Sequence, residues 1–283
     1  MDRTEQRSNS VAEERCRVCA GLTAFTFCVD VLGRSVKYFD CPTCGYVQTE
    51  TPYWLEQAYG HPIGDADTGI MLRNRANLAR VTTALVALGR LRGRVLDVGG
   101  GLGILVRMLR DIGLDAHWSD KHCENLLAKG FEGGSGSYDL ATAFEVVEHL
   151  EHPLDELRAL LDVAPAVLIS TELAPEPGQL AASWWYLVPE YGQHIGFFRK
   201  STLAWIARKL GCHFSTDGQS VHLFASDPSV ARRWSMMRRF TPIAPLLSRL
   251  ALQSRTTADF EIARNRMQRI LLSQEKADGG NHK

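Results

Sequence analysis

Three groups of residues in this chain have types and spacings that could do chemistry. Cys16-Arg17-Val18-Cys19 and Cys41-Pro42-Thr43-Cys44 are two C-x-x-C knuckles separated by 21 residues. Each knuckle puts two thiolates on one tight turn, and two such turns complete a tetrahedron around Zn²⁺. Asp97-Val98-Gly99-Gly100-Gly101-Leu102-Gly103 sets four glycines in five positions behind an acidic residue. Glycines there let the backbone lie against a ligand and adopt positive φ. A helix starting behind them aims its free N–H groups at the same place. Glu145-Val146-Val147-Glu148-His149 and Tyr191-Gly192-Gln193-His194 supply carboxylates and imidazoles, the side chains of proton transfer and of cation binding.

Each group needs elements to hold it. Residues 22–39 carry Phe25, Phe27, Val29, Val31, Val36 and Tyr38, a strand-like series broken at Gly33 that would join the knuckles into a zinc ribbon. So few residues bury too small a core, and a bound metal would supply the missing folding energy. A disulfide pairing is the competing reading. The first ten residues are polar and charged, without an apolar leader, so reduced thiols and a cytoplasmic protein are expected.

Residues 94–98 read as a strand, the glycines as its turn and 104–112 as the helix behind it. A second strand over 114–119 ends at Asp120, 17 residues after Gly103, where a carboxylate can accept a pair of ligand hydroxyls. Residues 138–144 form another strand that reaches the same edge at Phe144. If the chain turns helical directly behind it, Glu145, Glu148 and His149 fall at i, i+3 and i+4 on one face. Such a face could bind a hard divalent cation; hydrogen bonds to the following loop are the competing reading. A helix over 153–163 and a strand over 167–171 follow. Residues 172–193 then make a long loop with Trp184, Trp185 and Tyr186, which reads as an apolar lid that excludes water. A helix over 201–210 and strands over 213–216 and 220–225 complete the alternation, which predicts an α/β fold with a mostly parallel sheet. Before it, 51–93 reads as a helical connector. Arg73 or Arg75 there could pair with a ligand carboxylate, against the plainer reading of a solvated helix face.

The spacing Asp97-x-Gly99-x-Gly101-x-Gly103, with Asp120 behind it, resembles motif I and the ribose-binding acid of class I S-adenosylmethionine (SAM) methyltransferases. That resemblance implies a Rossmann-like seven-stranded sheet of order 3-2-1-4-5-7-6 and SAM as cofactor. The cofactor residues it implies are Asp97, Gly99, Gly100, Gly101, Gly103, Asp120, Phe144 and Arg73. Residues 129–136 are too short and too glycine-rich to hold the third strand of such a sheet clearly, which leaves open how adenine is held. The E-x-x-E-H run is similar to that of ubiquinone O-methyltransferases and small-RNA 2′-O-methyltransferases. It implies a Mg²⁺-type site on Glu145, Glu148 and His149, to which His194, arriving from the loop after the 167–171 strand, would add a fourth ligand. Tyr191-x-Gln193-His194 resembles the Tyr-x-Glu-His segment of deoxysugar C-methyltransferases, which also begin with a zinc-binding module; glutamine stands here for glutamate. Trp184-Trp185-Tyr186 followed by Pro189-Glu190-x-Gly192-Gln193-His194 resembles a group of bacterial methyltransferases found among polysaccharide and natural-product genes.

Together these resemblances imply methyl transfer from SAM to a small acceptor, a sugar or a sugar-bearing natural-product intermediate. His194 would be the base and His149 the second candidate, with Tyr191 and Gln193 orienting the acceptor. The alternatives are a non-catalytic SAM-binding zinc-ribbon scaffold and a metal-dependent O-methyltransferase of a non-sugar acceptor.

The chain's 32 Lys and Arg balance its 32 Asp and Glu, so nothing global favours nucleic acid. No apolar run approaches the roughly 20 residues that cross a bilayer. Residues 229–283 depart from the balance, with eleven Lys and Arg against four Asp and Glu and with apolar residues between them. A solvated face, a homodimer contact, a membrane-surface contact and an anionic-acceptor site compete there, and the first two lead. The expected division is a disordered tail over 1–13, a zinc ribbon over 14–50, a connector and cofactor lid over 51–93, the methyltransferase domain over 94–228 and basic helices over 229–283.

Overall fold

A computed structural model describes residues 14–60, 64, 66–134 and 136–279; the tail expected over 1–13 lies outside them. Two sheets organise the chain. The larger contains β4 (Arg94–Val98), β5 (Asp115–Ser119), β6 (Leu140–Phe144), β7 (Ala166–Ser170), β9 (His213–Thr216) and β10 (Val221–Ala225), in the order β5-β4-β6-β7-β10-β9. The first four strands run parallel, and β10 is antiparallel to both β7 and β9. Parallel strands buried on both faces send alternate side chains to two cores. Val95, Leu140 and Leu168 go to one, with α2 (Ile70–Leu88) and α3 (Ile104–Asp111). Leu96, Ala141, Val167 and Ile169 go to the other, with α4 (Pro153–Val163) and α5 (Lys200–Leu210).

The expected seven-stranded sheet has six strands among the described residues. Where a third strand was expected, residues 129–134 contribute only a single parallel bridge from Glu132 to Trp118. Gly130, Gly133 and Gly134 supply no side chains to pack against a neighbouring strand, and that weakens an edge strand. The order otherwise follows the expected one.

The second sheet joins β1 (Ala24–Val31), β2 (Arg34–Asp40) and β3 (Val47–Thr49) to β8 (Gly196–Phe197), which comes from the loop before α5. The cysteine knuckles therefore do not stand apart. Cys16, Val18, Cys41, Cys44 and Tyr46 share a core with Phe198, Leu203 and Ile206. Arg199, buried at the start of α5, donates to both carboxylate oxygens of Asp40 at 2.8 and 2.7 Å and to the carbonyl of Gly45 at 2.8 Å. Arg17, inside the first knuckle, donates to the carbonyls of Thr49 and Ile195 at 3.2 and 2.5 Å. These contacts fix the loop that carries His194.

Beyond the larger sheet, α6 (Pro228–Met237), α7 (Ala244–Ala251) and α8 (Thr256–Gly279) follow. Asp259, in the first turn of α8, accepts from Arg110 at 2.7 and 2.8 Å and from Arg107 at 2.9 Å, which ties α8 to α3. Among the described residues, no helix is long and apolar enough to cross a membrane.

Candidate active site

The carboxyl ends of β4, β5 and β6 open into a cavity of about 750 Å³, within the size range of small-molecule sites. The glycine turn forms its floor. Gly99 and Gly100 donate their N–H groups to the Ser119 carbonyl at 2.8 and 3.2 Å. The N–H of Gly101 goes to Asp120 Oδ2 at 2.9 Å, and Trp118 Nε1 donates back to the Gly101 carbonyl at 2.8 Å. Gly101 has φ +53°, and the space where a Cβ would stand is open. Backbone here is exposed to whatever occupies the cavity.

Asp97, Gly99, Gly100, Gly101, Asp120, Phe144 and Arg73 all line this cavity. Gly103 does not. At φ +83° it begins α3, and a Cβ there would stand 2.9 Å from Asn125 Oδ1 and 3.0 Å from the Ala128 nitrogen. Its role is close packing rather than ligand approach. Asp97 is buried and accepts from the Thr142 hydroxyl at 2.6 Å; burial raises its carboxyl to about 7. Asp120 already accepts the N–H groups of His122 and Cys123 on Oδ1 and of Gly101 on Oδ2 at 2.8 to 2.9 Å, and Oδ2 keeps a further lone pair.

Arg73 pairs with Asp67 at 2.5 Å at the mouth. Lys121, the other described cation on the lining, pairs with Glu156 at 3.1 Å. Against these two stand seven carboxylates on the lining, Glu151 and Glu56 among them. The cavity is an acidic one with its cations already engaged.

One wall is aromatic. The Tyr59 and His122 rings stack with centroids 3.8 Å apart and 5° between their planes. Burial pushes the Tyr59 hydroxyl up to about 12, so it remains a donor, and it lies 3.3 Å from His149 Nδ1. His122 and the role of Tyr59 were not anticipated. The aromatic cluster at Tyr53, Trp54 and Tyr59 was the signal nearest to them in the sequence.

Behind β6 the chain departs from expectation. Glu145 takes φ +54° and breaks the path, and a short 3₁₀ turn, Val147–His149, follows in place of a longer helix. Glu145, Glu148 and His149 therefore do not share one face. Glu145 accepts from Ser170 Oγ at 2.5 Å and stands 3.0 Å from the Tyr186 hydroxyl. Glu148 contacts the same hydroxyl from its other side. A phenol has one proton to donate, so a protonated Glu148 donates to Tyr186 and Tyr186 to Glu145, which leaves the buried Glu148 Oε2 without a partner among the described residues. Burial first, then the nearby Glu145 charge, raise the Glu148 carboxyl well above its usual range, as that arrangement requires.

His149 turns to the cavity and meets His194. The two rings lie 4.9 Å apart, edge to face. His194 Nδ1 is 2.7 Å from the Tyr186 carbonyl. A carbonyl only accepts, so Nδ1 carries the proton and Nε2 holds a free lone pair. Burial lowers both imidazoles below their ordinary value, His149 the more strongly, and keeps them neutral. Gln193 lines the cavity and donates to the Ala58 carbonyl at 3.0 Å, joining the loop to α1 (Leu55–Ala58). Tyr191 is not on the lining; its hydroxyl accepts from the Ala66 N–H at 3.3 Å, so it holds the connector rather than an acceptor.

Two metal questions follow. The Sγ atoms of Cys16, Cys19, Cys41 and Cys44 all lie within 4.8 Å of one another, with Cys16–Cys44 at 3.6 Å and Cys19–Cys41 at 3.4 Å, and none is in a disulfide. Four such sulfurs, three of them buried, fit a tetrahedral Zn²⁺. The second donor set is Glu148, His149 and His194 without Glu145. One protonated carboxyl and two imidazoles do not fit Mg²⁺, which takes oxygen ligands in an octahedral shell.

Residues 71–214, just over half of the 283, match the family model of a methyltransferase domain. No curated protein matches the chain. Among solved structures, TnmH is 22% identical over 61% of this chain and 61% of its own, with a TM-score of 0.39. The magnesium protoporphyrin IX methyltransferase of Synechocystis PCC 6803 is 17% identical over 62% of this chain and 93% of its own, at 0.40. The 1,6-didemethyltoxoflavin-N1-methyltransferase of Burkholderia thailandensis is 17% identical over 69% and 97%, at 0.45. The chain spans about three-fifths of the length of the first of these structures. On the extent of the family match, the chain belongs to the methyltransferase-domain family, and residues 71–214 are its methyltransferase domain.

Proposed function

We propose that the whole protein transfers the methyl group of SAM to a hydroxyl of a small, uncharged acceptor, a sugar or sugar-bearing natural-product intermediate. The observation that carries this reading is the continuity of one cavity from the glycine turn to His149, with His194 against it. Bound SAM supplies a methyl group made electrophilic by its sulfonium. The chain's own residues do the rest. Asp97 faces the amino-acid end of the cofactor, Asp120 its ribose, and Arg73 can leave Asp67 to take its carboxylate. The Tyr59–His122 stack closes the site and excludes water.

His194 Nε2 is the proton acceptor, because its other nitrogen is committed to the Tyr186 carbonyl. Tyr59 donating to His149 Nδ1 leaves His149 with a proton on Nε2, which suits it to hold the acceptor's oxygen rather than deprotonate it. Positioning and proton removal are the whole of the protein's task. The acid-rich lining, with both described cations paired, favours an acceptor without negative charge. A structural Zn²⁺ on Cys16, Cys19, Cys41 and Cys44 holds the sheet that carries β8 and, through it, His194.

Methyl-labelled SAM, the pure protein and a small-molecule extract of bacterial cells test this reading. Label is expected in a product that passes both anion and cation exchangers. Label held on the anion exchanger, or no label at all, contradicts it.

A further inference from the structure

The C-terminal helices present a surface of exposed apolar and basic side chains. From residue 262 to 271 every side chain of α8 is exposed, while Arg266 reaches back beside Gly130 and Glu132. Phe260, Met267 and Ile270 lie along one side of it at i, i+7 and i+10, and each is about half exposed or more. Arg264 borders that side, with its guanidinium 6.0 Å from the Phe260 ring. The preceding segment repeats the pattern. Leu246 and Leu250, at i and i+4 on α7, are 62% and 79% exposed. Before them Phe240 is exposed under the guanidinium of Arg239 at 5.0 Å.

Charge separates the partners that could cover such a face. Residues 229–283 carry eleven Lys and Arg against four Asp and Glu, a net +7 that an excess of acidic residues offsets in the rest of the chain. Two copies meeting through these helices would bring +7 against +7. Nucleic acid would answer the charge and leave the apolar side chains in water. An anionic bilayer answers both, because headgroup phosphates take the arginines while Phe, Leu, Met and Ile side chains enter the acyl boundary. We propose that the exposed faces of α7, α8 and the segment before them bind the surface of a membrane rich in anionic lipid. The contact is interfacial, since no described helix can span.

Co-sedimentation of the full chain with phosphatidylglycerol-rich vesicles and with pure phosphatidylcholine vesicles tests this. Binding to the anionic vesicles is expected to be about tenfold stronger or more, and to fall as salt rises. Arg264→Glu combined with Arg239→Glu, and separately Phe260→Ser combined with Leu250→Ser, should each weaken it about tenfold or more. Circular dichroism and SAM affinity should stay unchanged, which keeps a misfolded variant from passing as support. Equal binding to both vesicle types, no binding to either, or unaltered binding by both variants overturns the proposal. So does a sedimentation-velocity dimer that Phe260→Ser abolishes while vesicles go unbound, which would give the face to a second copy. Duplex DNA bound more tightly than the anionic vesicles likewise overturns it.

Discussion

The two sheets solve different problems with different resources. The six-stranded sheet has two hydrophobic faces covered by helices, and its site is mostly backbone: a glycine turn and two carboxylates at strand ends. The four-stranded sheet is short, begins at a cysteine cluster and takes its last strand, of two residues, from far along the chain. It carries the loop of Gln193 and His194, of which Gln193 lines the cavity that the first sheet builds and His194 packs behind it against His149. In the proposed function, cofactor binding would thus rest on local geometry and acceptor chemistry on contacts between distant segments.

That contrast can be broken most forcefully through the metal. Elemental analysis of protein purified without chelator is expected to give one zinc per chain. Structural zinc contributes on the order of 10 kcal/mol or more to small modules, so Cys41→Ser should disorder the four-stranded sheet and abolish methyl transfer. SAM affinity, measured by calorimetry, should survive far better, because no residue of β1, β2 or β3 lines the cavity. Equal loss of both would mean that the division between the sheets is wrong.

The strut at Arg199 sharpens the same comparison. Arg199→Met removes the partner of a carboxylate and the donors to two carbonyls, of Gly45 and Pro175. Breaking a buried pair from one side costs about 3–5 kcal/mol. Denaturant unfolding should show that loss, with kcat reduced more than SAM affinity.

On the cofactor side, Asp120→Ala removes an acceptor of ribose hydroxyls and of three backbone N–H groups. A charge-assisted bond contributes about 1.5–3 kcal/mol, so the SAM dissociation constant should rise about 10- to 100-fold. A change smaller than threefold would remove the ribose assignment.

The smallest expected effect is a pH dependence. Burial raises Asp97 to about 7 in the folded protein, above its value in the unfolded chain. The folded state therefore holds this proton more tightly, and the stability it contributes is lost as pH rises toward 7. Binding the cofactor's ammonium requires the carboxylate. Below pH 7 binding should release a proton, and affinity should fall by about tenfold per unit at most. Calorimetry in buffers of different ionisation enthalpy reads that proton directly; proton uptake would contradict the assignment.

What could be read from the sequence follows the same division. The strand, turn and helix around Asp97 and the strand ending at Asp120 are local patterns, and each lies where its spacing put it. Helix 153–163 was legible from its own periodicity. The third strand was doubtful in the sequence for the physical reason that its glycines cannot pack. Glu145 was misplaced because nothing local announces a left-handed backbone in a residue followed by two valines. β8 was invisible, since two residues become a strand only by pairing with β3. Nor could the sequence reveal that Arg17 and Arg199 are interior side chains tying the cysteine knuckles to the loop of His194, or that Tyr59 would stack on His122.

The most direct test of this division is one pair of numbers measured on His194→Ala, the rate of labelled methyl transfer and the SAM dissociation constant. Removal of a positioned base typically costs about 10²- to 10⁴-fold. The wild-type rate should fall off only as pH drops below the ordinary histidine value, because burial lowers His194. We expect transfer to fall within that range in the variant while SAM affinity stays within about twofold of wild type. Undiminished transfer, or cofactor affinity lost in parallel with transfer, would contradict the account.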